Sequence, residues 1–214
     1  MVNAPSNRNI TTKGNCPLKM NARDQYVPGP PVGVQIHKSE ALNWELVVVR
    51  ELRHSPEKVW LAITDPEHLR EWAPFDADKS LATAGVNVKL TTVNAPQPHI
   101  TETRIMRAEA PHFLEYMWGA NPMRWELEPI PGGTRLTLST AINRNFISMG
   151  AAGWHVCLDV LDHLLAGDPI GRLVGTDTMK FSGWQRLTNE YAQMFGLEPP
   201  KRFPQPQTQP PKNS

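Results

Sequence analysis

A change of hydrophobic period between Ile142 and Gly150 constrains the fold of this 214-residue chain more than any other feature. From Val86 to Ile142 apolar residues alternate with polar ones, as in Val86/Val88/Leu90, Leu114/Tyr116/Trp118, Trp125/Leu127 and Leu136/Leu138. Period two of this kind belongs to antiparallel strands with one dry and one wet face. After Gly150, Trp154, Cys157, Leu158, Leu161, Leu164 and Leu165 fall at helical spacing, and Gly167 and Pro169 end the run. A sheet with one apolar face is thus followed by a helix with one apolar stripe, and each is the natural cover for the other.

The flanking segments fill in the order of elements. Trp44 to Leu52 is rich in β-branched residues and predicts a first strand. Ser55-Pro56-Glu57 and Asp65-Pro66-Glu67 each combine a capping side chain with a proline in the first turn, so two short helices follow, the second carrying Leu69 and Trp72. Breaks at 94–98, 119–122 and 131–133 divide the alternating region into about five strands. Residues 168–180 show no clear period, and Trp184, Leu187, Tyr191, Met194 and Phe195 mark a last helix from about Ser182 to Phe195. The expectation is an α+β fold: a curved antiparallel sheet of about six strands wrapped around a long C-terminal helix, with two short helices after the first strand.

Proline placement sets the expected boundaries. Of 21 prolines, five fall in residues 1–40 and six in 199–211, which predicts a disordered tail over 1–40, one domain over 41–196 and a disordered proline-rich tail over 197–214. Twenty-two Lys and Arg against 21 Asp and Glu give a net charge of +1, so there is no basic surplus to hold nucleic acid. No apolar run reaches the length of a membrane span, and the polar start lacks a signal peptide's apolar segment, so a cytoplasmic protein is expected. Cys16 and Cys157 are expected as reduced thiols. No phosphate loop, nucleophile elbow or paired-cysteine metal motif occurs, and no cofactor or metal is expected.

Residues 47–72, together with Gly133-Thr134-Arg135-Leu136-Thr137-Leu138, the Gly153–Leu161 stretch and Gly183-Trp184-Gln185-Arg186-Leu187, resemble helix-grip domains. The resemblance is to the SRPBCC superfamily, which includes START lipid-binding domains and polyketide cyclases, and most of all to the C-terminal domain of the heat-shock-protein-90 ATPase activator. It implies a cavity between sheet and helix, a small hydrophobic ligand as partner, and a chaperone as a further candidate partner. It carries no catalytic residue that transfers by position.

The residues themselves nominate a site. Trp72, Phe75, Tyr116, Trp118, Trp125, Trp154 and Leu158 are the cavity-wall candidates, each also readable as plain core. His99, an isolated histidine able to serve as a pocket acid or base, and Glu102 and Arg104 are polar cavity candidates: between Ile100 and Met106 the alternation is broken, so that either a bulge reverses the facing, or Glu102 and Arg104 form an exposed ion pair, or they point into the concave side as a ligand handle or an acid/base pair. His155, Asp159 and His163 stand four apart, but 100° per residue turns them away from the apolar stripe, so they predict a solvated face. Binding of an apolar or amphipathic small molecule is the leading expectation. A cyclase- or hydrolase-type enzyme and a co-chaperone are the alternatives.

Overall fold

The computed structural model describes residues 22–38, 44–95, 97 and 99–200. A one-turn helix α1 (Ala22–Gln25) and strand β1 (Val34–Lys38) precede β2 (Trp44–Leu52) and the short helices α2 (Pro56–Thr64) and α3 (Pro66–Trp72). Seven strands follow: β3 (Phe75–Ala77), β4 (Asn87–Thr92), β5 (Ile100–Arg104), β6 (Arg107–Glu109), β7 (Phe113–Trp118), β8 (Asn121–Ile130) and β9 (Gly133–Ile142). A 3-10 turn at Arg144–Phe146 leads into the long helix α4 (Ile147–Ala166), then α5 (Gly175–Lys180) and α6 (Ser182–Met194). Six strands form one antiparallel sheet in the order β1-β2-β9-β8-β7-β6, and three form a second, β3-β4-β5. The α+β class and the six-stranded sheet are as the sequence leads one to expect; the second sheet and α5 are additional.

Local chemistry explains the helix boundaries. Ser55 accepts from the Lys58 amide at 3.4 Å to open α2. Asp65 does two jobs: its own amide donates to Leu61 to end α2, while its carboxylate accepts from the amides of Glu67 and His68 at 3.0 and 3.2 Å to start α3. Gly167 closes α4 at φ 81, a left-handed conformation that an L side chain resists. Lys58 donates to the Leu165 carbonyl at 2.7 Å, tying α2 to the C-terminal end of α4 where a cation is favoured.

The N-terminal expectation needs correction, since residues 22–38 are not a tail. β1 pairs with β2 from Val34↔Val48 to Lys38↔Trp44, and residues 26–33 lie as a strap over α4 and α6. The prolines at 28, 30 and 31 mislead here: they suit an extended strap as well as a disordered one. Residues 1–21, 39–43 and 201–214, with Cys16 and most of both expected tails, lie outside the described residues.

The broken alternation after Ile100 resolves as exposed charges, neither a bulge nor a charged pair on the concave side. Strand β5 keeps strict alternation, with Ile100, Glu102 and Arg104 exposed and Thr101 and Thr103 buried. Those two threonines join the sheets: Thr103 Oγ1 accepts from the Met117 amide at 3.2 Å and Thr101 Oγ1 from the Gly119 amide at 3.1 Å. Strand β6 pairs only with Phe113–Glu115, so past Glu115 the edge of β7 away from β8 is open, and the threonine hydroxyls satisfy amides at Met117 and Gly119 there. A buried polar face and two exposed apolar side chains, Ile100 and Met106, produce the apparent irregularity, with no bulge.

Candidate functional site

The six aromatics nominated as a cavity wall are brought together, yet mostly against one another. Trp72 meets Trp125 edge-on at 6.0 Å, Trp125 meets Trp154 at 5.7 Å and Trp154 meets Trp118 at 6.2 Å. Trp118 lies 5.4 Å from Phe75, which meets Tyr116 at 6.1 Å. The Trp125 indole N–H donates to the Tyr116 hydroxyl at 3.1 Å, and that of Trp72 to the Ala62 carbonyl at 2.9 Å. Rings in edge-to-face contact gain beyond their buried area, and each polar edge in the interior has a partner. Burial pushes the Tyr116 phenol well above its ordinary range, so it is a neutral structural donor and acceptor. Trp72, Phe75, Tyr116, Trp125 and Leu158 are therefore fully packed core. The space between sheet and helix is filled at that end.

Space remains at the other end. A cavity of about 350 Å³ lies beside α4, bounded on one side by Trp118, Trp154, Cys157 and the Gly150–Gly153 turn of the helix, and on the other by Val174, Thr178, Met179 and Trp184. Trp118 and Trp154, alone of the seven nominated residues, line it. No acidic, basic or histidine side chain does. Burial raises the Cys157 thiol to about 12, which leaves it protonated and inert at neutral pH. The space opens to solvent and is lined mainly by apolar side chains.

The far wall is held in place by two clamps. Arg172 Nη2 lies 2.9 Å from the Leu69 carbonyl, 3.1 Å from that of Phe75 and 2.7 Å from Asp76 Oδ1, fixing the segment before α5 to α3 and β3. At the start of α5 the Thr176 amide donates to the Asn94 carbonyl at 3.0 Å, and Asn94 Nδ2 to Asp177 at 3.2 Å. Gly175 makes the close approach work: its φ is +59, and a Cβ there would fall 2.4 Å from the Asn94 carbonyl oxygen. Nothing in the period of residues 168–180 signals this wall. The one cue in the sequence is the glycine pair Gly171 and Gly175 framing a short apolar run.

The polar candidates do not reach the cavity. His99, Glu102 and Arg104 are exposed, and none of them lines it; Glu102 pairs with Lys89 at 3.2 Å on the outer face of the small sheet. Their nomination is corrected by the threonine seam above, which claims the inward face of β5.

A polar cluster lies instead on the opposite side of α4, where a solvated face was expected. His155 is 2% exposed, because α6 and the strap cover it. Tyr26 donates to Asp159 Oδ2 at 2.7 Å, His155 Nε2 lies 3.4 Å from the same oxygen, and Arg50 Nη2 lies 3.7 Å from Oδ1. His155 Nδ1 meets the Tyr191 hydroxyl at 2.8 Å, and Arg50 Nη1 donates to the Val32 carbonyl at 2.9 Å. Burial acts to raise the Asp159 carboxyl, but His155, Tyr26 and Arg50 outweigh it and hold the group below its ordinary value. The same burial, with the Asp159 charge beside it, pushes the Tyr26 phenol far up. His163, edge-on to Tyr26 at 6.0 Å, borders a polar hollow of about 430 Å³ with Asp159, Asp162 and Asp168. Among the described residues no group of three His, Cys, Asp or Glu is placed to hold a metal ion. None of the described helices is long and apolar enough to cross a membrane.

Comparison with known proteins places the fold. The sequence model of the family described as activator of Hsp90 ATPase homolog 1-like protein matches residues 53–166, just over half of the chain. The chain belongs to this family. Among solved structures with the family's fold, a protein from Staphylococcus saprophyticus is 20% identical with a TM-score of 0.52, covering 61% of this chain and 98% of its own. CalU16 from Micromonospora echinospora is 18% identical with a TM-score of 0.54, over 76% and 93% of the two chains. A conserved protein of unknown function from Enterococcus faecalis is 16% identical with a TM-score of 0.55, over 77% and 92%. No curated protein matches. The family match ends at Ala166, so the wall formed by Val174, Thr178, Met179 and Trp184, and the strap over α4, are built from sequence on either side of it.

Proposed function

We propose that the protein binds an apolar small molecule, or the apolar part of an amphipathic one, in the cavity between α4 and α5. The observation that carries this reading is the lining: three indoles, two methionines and three helix glycines around about 350 Å³, with no ionisable group except a neutral thiol. Filling such a space removes apolar surface from water at roughly 25 cal/mol per Å². A catalytic use of the same space finds no support, because His99, Glu102 and Arg104 stand outside it. The test is a tryptophan-fluorescence titration against fatty acids, flat aromatic compounds and sterols, with native mass spectrometry of protein purified from its source. Saturable quenching by at least one class is expected. Silence from every class, with no bound mass, would remove the reading.

A chaperone partner is the second reading, and it rests on the family alone. Its test is the ATPase rate of the chaperone with and without this protein: stimulation supports it, and an unchanged rate disposes of it.

A further inference from the structure

The far wall of the groove turns on one joint. Phe181 ends α5 and opens α6: its amide donates to the Thr178 carbonyl at 3.0 Å, and its carbonyl accepts from the Trp184 and Gln185 amides at 3.1 and 3.2 Å. Met179 and Trp184, on either side of this joint, line the groove. Neither helix has a side-chain cap at its N-terminus, and α5 has six residues, too few to hold a helix in water without outside support. The Arg172 and Asn94 clamps secure the start of α5. Its end is secured by the strap. Tyr26 stacks on Phe181 at 5.7 Å with 22° between the planes, while its hydroxyl donates to Asp159 of α4 at 2.7 Å. Arg186 of α6 donates to the carbonyls of Pro28 and Gly29. At Gly183 a Cβ would fall 2.6 Å from the Phe181 ring and 2.7 Å from Pro28 Cδ, so joint, strap and α6 meet with no room for a methyl group. Tyr26 thus ties α4, the near wall, to the joint that carries the far wall.

We propose that the strap is the latch of the groove. With Tyr26 clasped between Asp159 and Phe181 the far wall is fixed and the groove accepts an apolar guest; with the strap released the wall loosens and the guest is lost. Binding and strap closure then reinforce one another, since each favours the same state of the wall. The ligand half of this rests on the groove being the binding site proposed above, and the mechanical half does not.

Hydrogen exchange read by mass spectrometry on the full chain, with no ligand added, tests the mechanical half. Tyr26→Ala and, from the other side of the contact, Gly183→Ala should each raise exchange at residues 174–181 by about tenfold or more, with β8 and β9 unchanged and so reporting an intact fold. Tyr26→Phe, which keeps the ring on Phe181 and loses the bond to Asp159, should give a smaller rise. Unchanged exchange at 174–181 in either alanine variant overturns the latch. Nile red, a neutral apolar dye, tests the ligand half. The wild type should take it up saturably, the alanine variants should bind it about fivefold more weakly, and saturating dye should slow proteolysis of the wild-type strap. Equal dye affinity in the alanine variants, or strap proteolysis indifferent to bound dye, overturns the coupling. A wild type that takes up no dye overturns the groove as an apolar site, and exchange alone then decides the latch.

Discussion

Replacing Asp159 by Asn tests whether the strap and α6 are held to α4 by charge. Asn keeps the shape and one carbonyl oxygen, but removes the negative charge that faces Tyr26 at 2.7 Å, His155 at 3.4 Å and Arg50 at 3.7 Å. A hydrogen bond to a charged group contributes about 1.5–3 kcal/mol, and breaking one partner from a buried ion pair costs about 3–5 kcal/mol. The Arg50 pair is loose, Nη2 makes no hydrogen bond, and Asp159 is 22% exposed, so the lower end applies to it. With the lower end of both, the loss comes to about 4.5 kcal/mol, which in a domain of this size lowers the melting temperature by about 9–18 °C at 2–4 °C per kcal/mol. Urea unfolding followed by circular dichroism gives the free energy, and limited proteolysis reports whether the strap at residues 26–33 comes loose first. Tyr26→Phe, which removes one hydroxyl, should cost about 1 kcal/mol, and the double variant should cost less than the sum because the two groups share a bond. A loss below about 0.5 kcal/mol for Asp159→Asn, with unchanged proteolysis, would refute the claim that this cluster holds the strap.

The same carboxyl sets an acid limit. Its folded value lies below its ordinary one, so the stability it provides is complete above the ordinary aspartate range, about 3.9, and is lost as pH falls through the lower folded value; urea midpoints between pH 7 and pH 3 should fall less steeply in Asp159→Asn than in the wild type. Gly153 faces the cavity with only Trp184 near its missing Cβ, at 3.9 Å, so Gly153→Ala should stabilise α4 by about 0.5–1 kcal/mol while Gly153→Leu should fill the space and abolish the fluorescence titration. Gly175→Ala, by contrast, drives a Cβ into the Asn94 carbonyl, and weaker ligand binding with a lowered melting temperature is the expected result. Thr103→Val and Thr101→Val should each cost about 1–3 kcal/mol by leaving the Met117 amide of β7 and the Gly119 amide just after it unpaired, whereas Glu102→Ala and Arg104→Ala, exposed on the other face, should stay within about 0.5 kcal/mol.

Of the residues that line the site, only Trp118 and Trp154 were singled out by the sequence as candidates for it, and as members of a list without an arrangement. Composition and period identify Trp118 and Trp154 as large apolar groups on the right faces, and equally identify Trp72, Phe75, Tyr116 and Trp125, which the fold spends on packing. Alternation cannot say which aromatics touch each other and which border a void, because that depends on where α4 crosses the sheet. The wall at Val174, Thr178 and Met179 was not readable at all, because residues 168–180 carry no period and only the fold sets them against α4.

What the sequence determined by itself is the set of local decisions. The caps at Ser55 and Asp65, the strand alternation of β7 to β9, the stripe of α4 and its stop at Gly167 all follow from neighbours within a few residues, and each stands where the chain's own chemistry puts it. What only the tertiary structure decided is the fate of faces. The polar side of α4 looks solvated until Tyr26 arrives from 133 residues away, and β5 looks irregular until its threonines meet the open edge of β7. Burial of a face depends on long-range partners, and such partners leave no periodic trace in the segment they cover.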